Sequence, residues 1–321
     1  MATIPRRQLR AGVLAATLTF FQEGSADLDI PTIRQHAVRL AQAGLVGLVT
    51  MGSNGEAPHL NSQERQIVTR KTREALDEAG FEDIPIIVGA SAASVRGTLE
   101  LCSEAAIAGG DYVLVLPPSY FRGAMSPAVL ANFYSRVADS SPLPLLLYSF
   151  PAVSAGIEMD SDFLISVSQH PNVVGTKFTC GDTGKLSRVA QAMNATTPGA
   201  VNSGYVCYGG LADFGLMALI AGGSGYIAGG ANVVPRTCVR VFNLYLQNNI
   251  HEAVELQKTL AKGDWHHTKA GIAGTKAILE TYFGYGGIPR EPLQPLNDEG
   301  ARELRRAMEE VMSLEKNSSP R

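Results

Sequence analysis

Short apolar runs alternate with segments of helical period along the first two thirds of the chain. Each run has the length of a β-strand, and in the segment after it apolar residues recur every three or four positions. The predicted strands are Gly12–Phe20, Leu45–Met51, Ile84–Ala90, Tyr112–Leu116, Leu143–Ser149, Val173–Phe178, Ala200–Gly204 and Gly225–Ala228. The helices predicted between them are Ile30–Ala43, Gln63–Ala79, Val95–Ala108, Pro127–Ala138, Ser161–Gln169, Thr183–Met193 and Val206–Ala221.

This regular alternation predicts an α/β fold with a parallel sheet, because each strand must be joined to the next by a crossover helix. Eight such repeats in about 250 residues fit a closed (β/α)8 TIM barrel better than an open doubly wound sheet. In a barrel of this kind, the chemistry lies at the carboxyl ends of the strands and in the loops that follow them.

From Val233 onward the pattern is helical only. The predicted helices are Pro235–Gln247, Ile250–Lys262, Trp265–Phe283 and Asp298–Leu314, and three of them exceed what the barrel needs. We therefore predict a catalytic barrel over residues 1–245 and a C-terminal helical extension over 246–321, ending in a frayed polar tail at Lys316–Arg321.

Composition excludes several classes of partner. The 321-residue chain has a net charge of -3 and no long basic stretch, which argues against nucleic acid. Its longest apolar runs, such as Val113–Leu116 and Leu143–Tyr148, are far shorter than the roughly 20 residues that a membrane span requires. We expect a soluble protein with small-molecule partners.

The cysteines and the basic N-terminal segment indicate the cellular compartment. The four cysteines lie far apart, without a C-x-x-C pair, which suits a reducing compartment and argues against a zinc cluster or a disulfide framework. The start Met1–Arg10 holds three arginines and no acid, as an organellar transit peptide would. The stretch is short and an apolar strand follows at once, so we favour a cytoplasmic location over a mitochondrial one.

One lysine differs from the others in its position. Lys71, Lys185, Lys258, Lys262, Lys269 and Lys276 fall on predicted helices, where a solvated charge is the ordinary interpretation. Lys177 instead ends the sixth strand, at the mouth of the predicted barrel. Partial desolvation there disfavours the ammonium form and leaves an amine able to attack a ketone. The structural alternative is an ion pair between Lys177 and a loop carboxylate such as Asp182.

Two further features accompany this lysine. Tyr148 ends the fifth strand, so its phenol is expected beside the Lys177 amine, where it could transfer protons to and from a substrate oxygen; the alternative is a tyrosine that only caps the core. The turn Gly52–Glu56 follows the second strand, and its backbone N–H groups, with Ser53 and Asn54, could bind a small carboxylate. Glu56 is expected to orient this loop.

These segments resemble a known family. Gly52–Glu56, Tyr148–Pro151, Gly175–Lys177 and Gly222–Asn232 occur in the order typical of the dihydrodipicolinate synthase / N-acetylneuraminate lyase family of class I pyruvate aldolases. The resemblance runs from about residue 10 to residue 295. Within the family, the chain is most similar to 4-hydroxy-2-oxoglutarate aldolases and to fungal-type 2-keto-3-deoxy sugar acid aldolases.

The resemblance implies a role for each of a small set of residues. Lys177 would form a Schiff base with the ketoacid, Tyr148 would shuttle protons, and Tyr120 would extend toward the site of a neighbouring subunit in a homotetramer. The residues implied in substrate binding are Ser53 and Asn54 at the carboxylate, Thr179 and Gly204 along the pocket, and Ile227 beneath it. The implied activity is the cleavage of a 4-hydroxy-2-oxoacid to pyruvate and an aldehyde, or its formation from the two. The resemblance implies no cofactor and no metal.

Three rival interpretations are weighed against this one. Synthases of the lysine pathway carry an arginine shortly after the strand-five tyrosine, whereas no arginine occurs here between Arg136 and Arg188. A metal-dependent aldolase needs clustered histidines, and the six histidines are expected at the wrong end of the barrel or outside it. A barrel that only binds a ketoacid would need neither Lys177 nor Tyr148. The aldehyde itself is left open among glyoxylate, a glyceraldehyde and a larger sugar fragment.

Overall fold

Eight parallel strands close into a barrel in the computed structural model, which describes residues 7–318. Each strand pairs with the next in the chain, and the first pairs with the last, which confirms the predicted (β/α)8 fold. The strands are β1 Gly12–Ala16, β2 Gly47–Thr50, β3 Ile86–Gly89, β4 Tyr112–Val115, β5 Leu145–Ser149, β6 Val173–Phe178, β7 Val206–Gly209 and β8 Gly225–Ala228.

Helices between the strands cover the outside of this barrel. They are α1 Ile30–Gln42, α2 Ser62–Glu78, α3 Val95–Ile107, α4 Pro127–Ser140, α5 Ser161–Val167, α6 Thr183–Ala192, α7 Gly215–Ile220 and α8 Pro235–Leu246. Polar caps begin several of them. At the start of α2, the Asn61 side chain accepts from the backbone N–H of Glu64, whose carboxylate accepts in return from the Asn61 N–H.

Strand alternation divides the core in two. One buried cluster fills the barrel interior and includes Leu14, Val49, Leu146, Tyr208 and Ile227. The intervening strand residues belong to a larger cluster that packs against the surrounding helices. Because successive side chains of a strand point to opposite faces, each strand contributes to both clusters, and the interior is a packed core rather than a channel.

The seventh repeat differs from its prediction. The predicted strand Ala200–Gly204 is a turn, in which Val201 is 71% exposed, and β7 lies instead at Val206–Gly209, within the predicted helix Val206–Ala221. The helix of this repeat, α7, is therefore short. Gly209 and Gly210 separate the strand from the helix, and this pair is the signal that the helical interpretation overlooked.

Two long helices complete the chain. α9 spans Ile250–Phe283, joining two helices that were predicted separately, and α10 spans Asp298–Asn317, beyond its predicted end at Leu314. α9 bends at Gly271, where φ of 63° and ψ of -154° interrupt the helical backbone. The division at residue 245/246 stays a prediction, although α8 ends next to it at Leu246.

Two sequence predictions fall partly outside the described residues. The first is the basic start Met1–Arg10, of which residues 1–6 are not described, and the second is the tail Lys316–Arg321, of which residues 319–321 are not. Among the residues that are described, no helix combines the length and the apolar character that crossing a membrane would take.

Candidate active site

Lys177 and Tyr148 lie side by side at the carboxyl ends of neighbouring strands. The β5–β6 register pairs them directly, and Lys177 Nζ donates to the Tyr148 hydroxyl at 3.3 Å. The amine also lies 4.5 Å from the centroid of the Tyr148 ring. Both residues are buried, at 4% and 5% exposure. Asp182, the carboxylate considered as an ion-pair partner, instead caps α6 by accepting from the Lys185 N–H at 2.8 Å.

The lysine opens into a cavity of about 240 Å³. Ser53, Asn54 and Thr179 line the same cavity, so the structure brings together five of the residues predicted from sequence. Further lining residues are Ala16, Phe150, Val153, Gly210, Leu211, Gly229, Gly230, Asp264, His267, Thr268, Gly271, Ile272 and Thr275.

Glu56 anchors the turn that carries Ser53 and Asn54. Its backbone is left-handed, with φ of 53°, and its side chain is buried. One carboxylate oxygen accepts from Lys276 Nζ at 2.7 Å, and the other accepts from the Arg290 N–H at 2.9 Å and contacts His59 Nδ1 at 3.0 Å. Glu56 therefore orients the loop, as predicted.

Two lysines that were predicted to be solvated are buried. Lys276 has no exposed side-chain area because it faces Glu56 inside the structure. Lys185, 4% exposed, pairs with Glu158. Helical period located both residues on helices correctly, but it could not show which of the two helix faces is covered by another element.

One predicted pocket residue lies at the wrong end of the barrel. Gly204 precedes β7, is exposed, and adopts φ of +84° in the turn, so the prediction that it lines the pocket is wrong. The error follows from the misplaced seventh strand. Gly210, after β7, occupies the position at the mouth, and a Cβ there would overlap Thr179 Oγ1.

The two remaining predicted residues lie outside the cavity lining. Ile227 is fully buried on β8, in the interior cluster that also contains Tyr148. Tyr120 is 83% exposed and packs edge-on against Phe121, which is 68% exposed. Neither aromatic ring lines the cavity of its own chain.

Helix α9 forms a wall of the cavity that sequence reasoning missed. Asp264, His267, Thr268 and Thr275 line the cavity. Asp264 lies three positions before His267 and four before Thr268, on one face of the helix, and Thr275 follows the bend at Gly271. His267 was predicted to lie away from the site. The predicted helices Ile250–Lys262 and Trp265–Phe283 left Gly263 and Asp264 between them, and no local signal shows that this segment covers the barrel mouth.

Burial controls the charges on this wall. Burial raises the pKa of Asp264 to about 6, although the backbone N–H groups of Asp213 and Ala212 oppose the shift. Burial also raises the pKa of the adjacent Asp213 to about 6, with the Asp264 charge as a further cause. Burial lowers the pKa of His267 to about 4, so its imidazole is neutral at pH 7.

The side chains of the site decide which groups it could bind. Within residues 7–318, no three His, Cys, Asp or Glu side chains are grouped closely enough to hold a metal ion. What the cavity does contain is a buried amine, a phenol beside it, and a ring of hydroxyl and amide groups. This set can attack a carbonyl, move a proton and hold a small carboxylate.

Comparisons with known proteins agree with the geometry. The model of the dihydrodipicolinate synthetase family matches residues 9–311. A relative from Aspergillus niger named L-threo-3-deoxy-hexylosonate aldolase is 52% identical over 98% of each chain. A relative from Emericella nidulans, named "Probable 4-hydroxy-2-oxoglutarate aldolase, mitochondrial", is 46% identical over 97% of each chain. The solved structure of a dihydrodipicolinate synthase family protein from Coccidioides immitis is 34% identical, with a TM-score of 0.86 over 99% of this chain and 100% of that one.

Proposed function

The chain belongs to the dihydrodipicolinate synthetase family, and from this membership we propose that it is a class I aldolase. In this proposal, the enzyme cleaves a 4-hydroxy-2-oxoacid into pyruvate and an aldehyde, or joins the two. The observation that carries the proposal is the buried Lys177 amine, 3.3 Å from the Tyr148 hydroxyl at the mouth of the barrel. Relatives that share about half of the sequence are named aldolases.

The proposed reaction begins at Lys177. Its amine attacks the C2 ketone of the substrate, and loss of water gives a protonated imine. The imine accepts the electron pair of the C3–C4 bond as Tyr148 takes the proton of the C4 hydroxyl. An aldehyde leaves, and an enamine of pyruvate is left on the lysine. Protonation at C3 and hydrolysis then release pyruvate and regenerate the amine.

Substrate binding in this proposal uses the turn after β2. Ser53 and Asn54 would hold the C1 carboxylate, because they line the cavity beside Lys177 and because Glu56 fixes their loop from behind. Thr179 lines the cavity from the loop after β6, and Ile227 supports it from the barrel interior.

Borohydride trapping tests the proposal directly. The protein is incubated with pyruvate, reduced with sodium borohydride, digested and mapped by mass spectrometry. The expected result is a reduced pyruvate adduct on Lys177. Lys276 serves as the internal control, since it is also buried but holds an ion pair with Glu56. A wild-type protein that gives no adduct on Lys177 would contradict the class I mechanism.

A 4-hydroxy-tetrahydrodipicolinate synthase is the second candidate, since relatives with that name are about 30% identical. The residues that line the cavity argue against it, because among the described ones Lys177 is the only lysine and no arginine is present to bind a second substrate's carboxylate. Incubation with pyruvate and aspartate semialdehyde distinguishes the two candidates, and we expect no condensation product.

We also propose a homotetramer in which Tyr120 reaches a neighbouring site. The support is the high exposure of Tyr120 and Phe121, since single large apolar side chains are common on surfaces but a pair of exposed aromatic rings packed edge-on is a frequent mark of an interface. Native mass spectrometry of the wild type and of Tyr120→Ala tests this, with a tetramer expected for the wild type.

We propose the cytoplasm as the location, in keeping with four cysteines that are all free. The mitochondrion is the alternative, because the Emericella nidulans relative carries that word in its name. Fractionation of cells that express the chain with a C-terminal tag separates the two locations.

A further inference from the structure

Polar atoms on one side of the cavity have no partner among residues 7–318. Within that range, Thr179 Oγ1 is buried without a hydrogen bond, and so is His267 Nδ1, although both residues line the cavity and are more than nine-tenths buried. Buried polar groups are normally paired, so unpaired ones that line a cavity indicate a polar ligand. Hydroxyl groups suit both positions, because a hydroxyl can donate and accept.

Asp264 supplies a third polar group on the same wall. Its Oδ2 accepts from the backbone N–H groups of Ala212 at 3.1 Å and Asp213 at 3.0 Å, which holds the loop after β7. Its Oδ1 lies 3.7 Å from His267 Nδ1, beyond hydrogen-bond distance. Within the described residues, Oδ1 is therefore left for a ligand, and it lies where a Cβ on Gly230 would overlap it.

Few cations line the cavity among the described residues. Lys177 is the only lysine or arginine among the described lining residues, and in the imine its charge would lie next to the reacting end of the substrate. Arg65 lines the adjoining cavity of about 660 Å³, where its guanidinium already donates to the Gly89 carbonyl at 2.6 Å and the Ala57 carbonyl at 3.2 Å. Among the described lining residues, Asp264 therefore adds a carboxylate to this wall, and no cation other than Lys177 is present to balance a second negative charge.

We propose that Asp264 is a specificity-determining residue, which selects substrates with hydroxyl groups on the aldehyde side and rejects those with a second carboxylate. The inference rests on the proposed aldolase function and names its substrate class: a 3-deoxy-2-oxo sugar acid, cleaved to pyruvate and a hydroxylated aldehyde. Hydroxyls beyond C4 donate to Asp264 Oδ1 and pair with Thr179 Oγ1 and His267 Nδ1. The carboxylate of 4-hydroxy-2-oxoglutarate faces Asp264 without a countercharge.

The test compares two substrates in matched variants. Wild type, Asp264→Asn and Asp213→Asn are assayed for kcat/KM with a six-carbon 3-deoxy-2-oxo sugar acid and with 4-hydroxy-2-oxoglutarate. Asn keeps an oxygen for the two N–H groups and removes the charge. Wild type is expected to prefer the sugar acid, and Asp264→Asn to shift the ratio toward 4-hydroxy-2-oxoglutarate by about tenfold or more. Asp213→Asn is the control, because Asp213 does not line the cavity, and its ratio is expected to match the wild type.

If kcat/KM changes equally for both substrates in Asp264→Asn, Asp264 has a structural role only and the proposal is overturned. A wild type that prefers 4-hydroxy-2-oxoglutarate would also overturn it. Thr179→Val provides a second test if Asp264→Asn folds poorly, since the Thr179 hydroxyl has no partner to lose among the residues that the structure describes. Thr179→Val is expected to lower kcat/KM about tenfold for the sugar acid and less for 4-hydroxy-2-oxopentanoate, which has no hydroxyl beyond C4. An equal loss for both substrates overturns the proposal.

Borohydride trapping distinguishes a failure of the aldolase function from a failure of the specificity proposal. A missing pyruvate adduct in the wild type refutes the aldolase itself, whereas a normal adduct with an unshifted ratio refutes the specificity alone.

Discussion

Lys276 of α9 and Glu56 of the turn after β2 form an ion pair of 2.7 Å, in which neither side chain is exposed. Burial lowers the pKa of Lys276, and the Glu56 charge opposes the shift. Lys276 also donates to the Ile288 carbonyl at 2.9 Å, which leads into the segment after α9. The pair therefore connects the helical extension to the turn that carries Ser53 and Asn54.

Removal of one partner of this pair is expected to be severe. Lys276→Met leaves the Glu56 carboxylate buried without its countercharge, which typically lowers the free energy of unfolding by about 3–5 kcal/mol. A displaced Glu56 should also raise KM for the ketoacid more than it lowers kcat. Urea denaturation and steady-state kinetics measure the two effects.

The double variant Lys276→Met/Glu56→Gln should recover part of the stability, because no charge is then left unpaired. Lys258→Met is the control on the same helix, since Lys258 is largely exposed and, among the described residues, pairs only with Glu255. Wild-type stability and KM in Lys276→Met would show that the pair does not hold the loop.

Variants of the two central residues should fail in different ways. Lys177→Ala is expected to abolish cleavage and pyruvate trapping, because no other amine lines the described part of the cavity. Tyr148→Phe keeps the ring beneath the amine and removes the proton carrier, so kcat should fall by about 10²–10⁴-fold while the adduct still forms. Turnover near the wild-type rate in Tyr148→Phe would remove the shuttle role.

Two glycines around β7 offer a matched pair. Gly210→Ala would drive a methyl group into Thr179 Oγ1, and kcat/KM should fall at least tenfold. Gly204→Ala meets no neighbouring atom but strains a backbone at φ of +84°, so it should reduce stability by about 1 kcal/mol with unchanged kinetics. Equal kinetic losses in both variants would place Gly204 at the site after all.

Asp264 should also leave a signature in the dependence of stability on pH. Its folded pKa of about 6 lies above the ordinary value of 3.8, because burial disfavours the charged form. Between these values the folded state binds more protons than the unfolded chain, so the contribution of Asp264 to stability falls as pH rises and reaches its minimum above about pH 6.

Asp264→Asn removes this contribution. Relative to the wild type, the variant should gain about 1 kcal/mol in free energy of unfolding when the pH is raised from 5 to 8. Removal of the Asp264 charge also reduces the upward shift of the Asp213 pKa, and this acts in the same direction. Titration of the buried His36 occurs in both proteins and cancels. Urea denaturation at the two pH values measures the difference, and a difference that does not change with pH would contradict it.

The sequence by itself determined the barrel and the neighbouring positions of Lys177 and Tyr148. Strand and helix periods are local properties, so seven of the eight repeats could be located to within a few residues, and the end of each strand marked Lys177, Tyr148, Ser53 and Asn54. The rule that chemistry gathers at the carboxyl ends of strands then placed them together without any knowledge of distances. The seventh repeat failed because the glycine pair at the end of its strand, Gly209 and Gly210, was passed over.

Only the tertiary structure decided what covers the barrel mouth. Asp264, His267, Lys276 and Thr275 lie on a helix far from the barrel strands in sequence, and their polar side chains look like those of any solvated helix face. Burial of such groups depends on which element packs over them, and that is fixed by long-range contacts that no local period records. Position along a strand thus identified Lys177 as the candidate nucleophile, whereas the wall that α9 adds to the cavity became visible only in the fold.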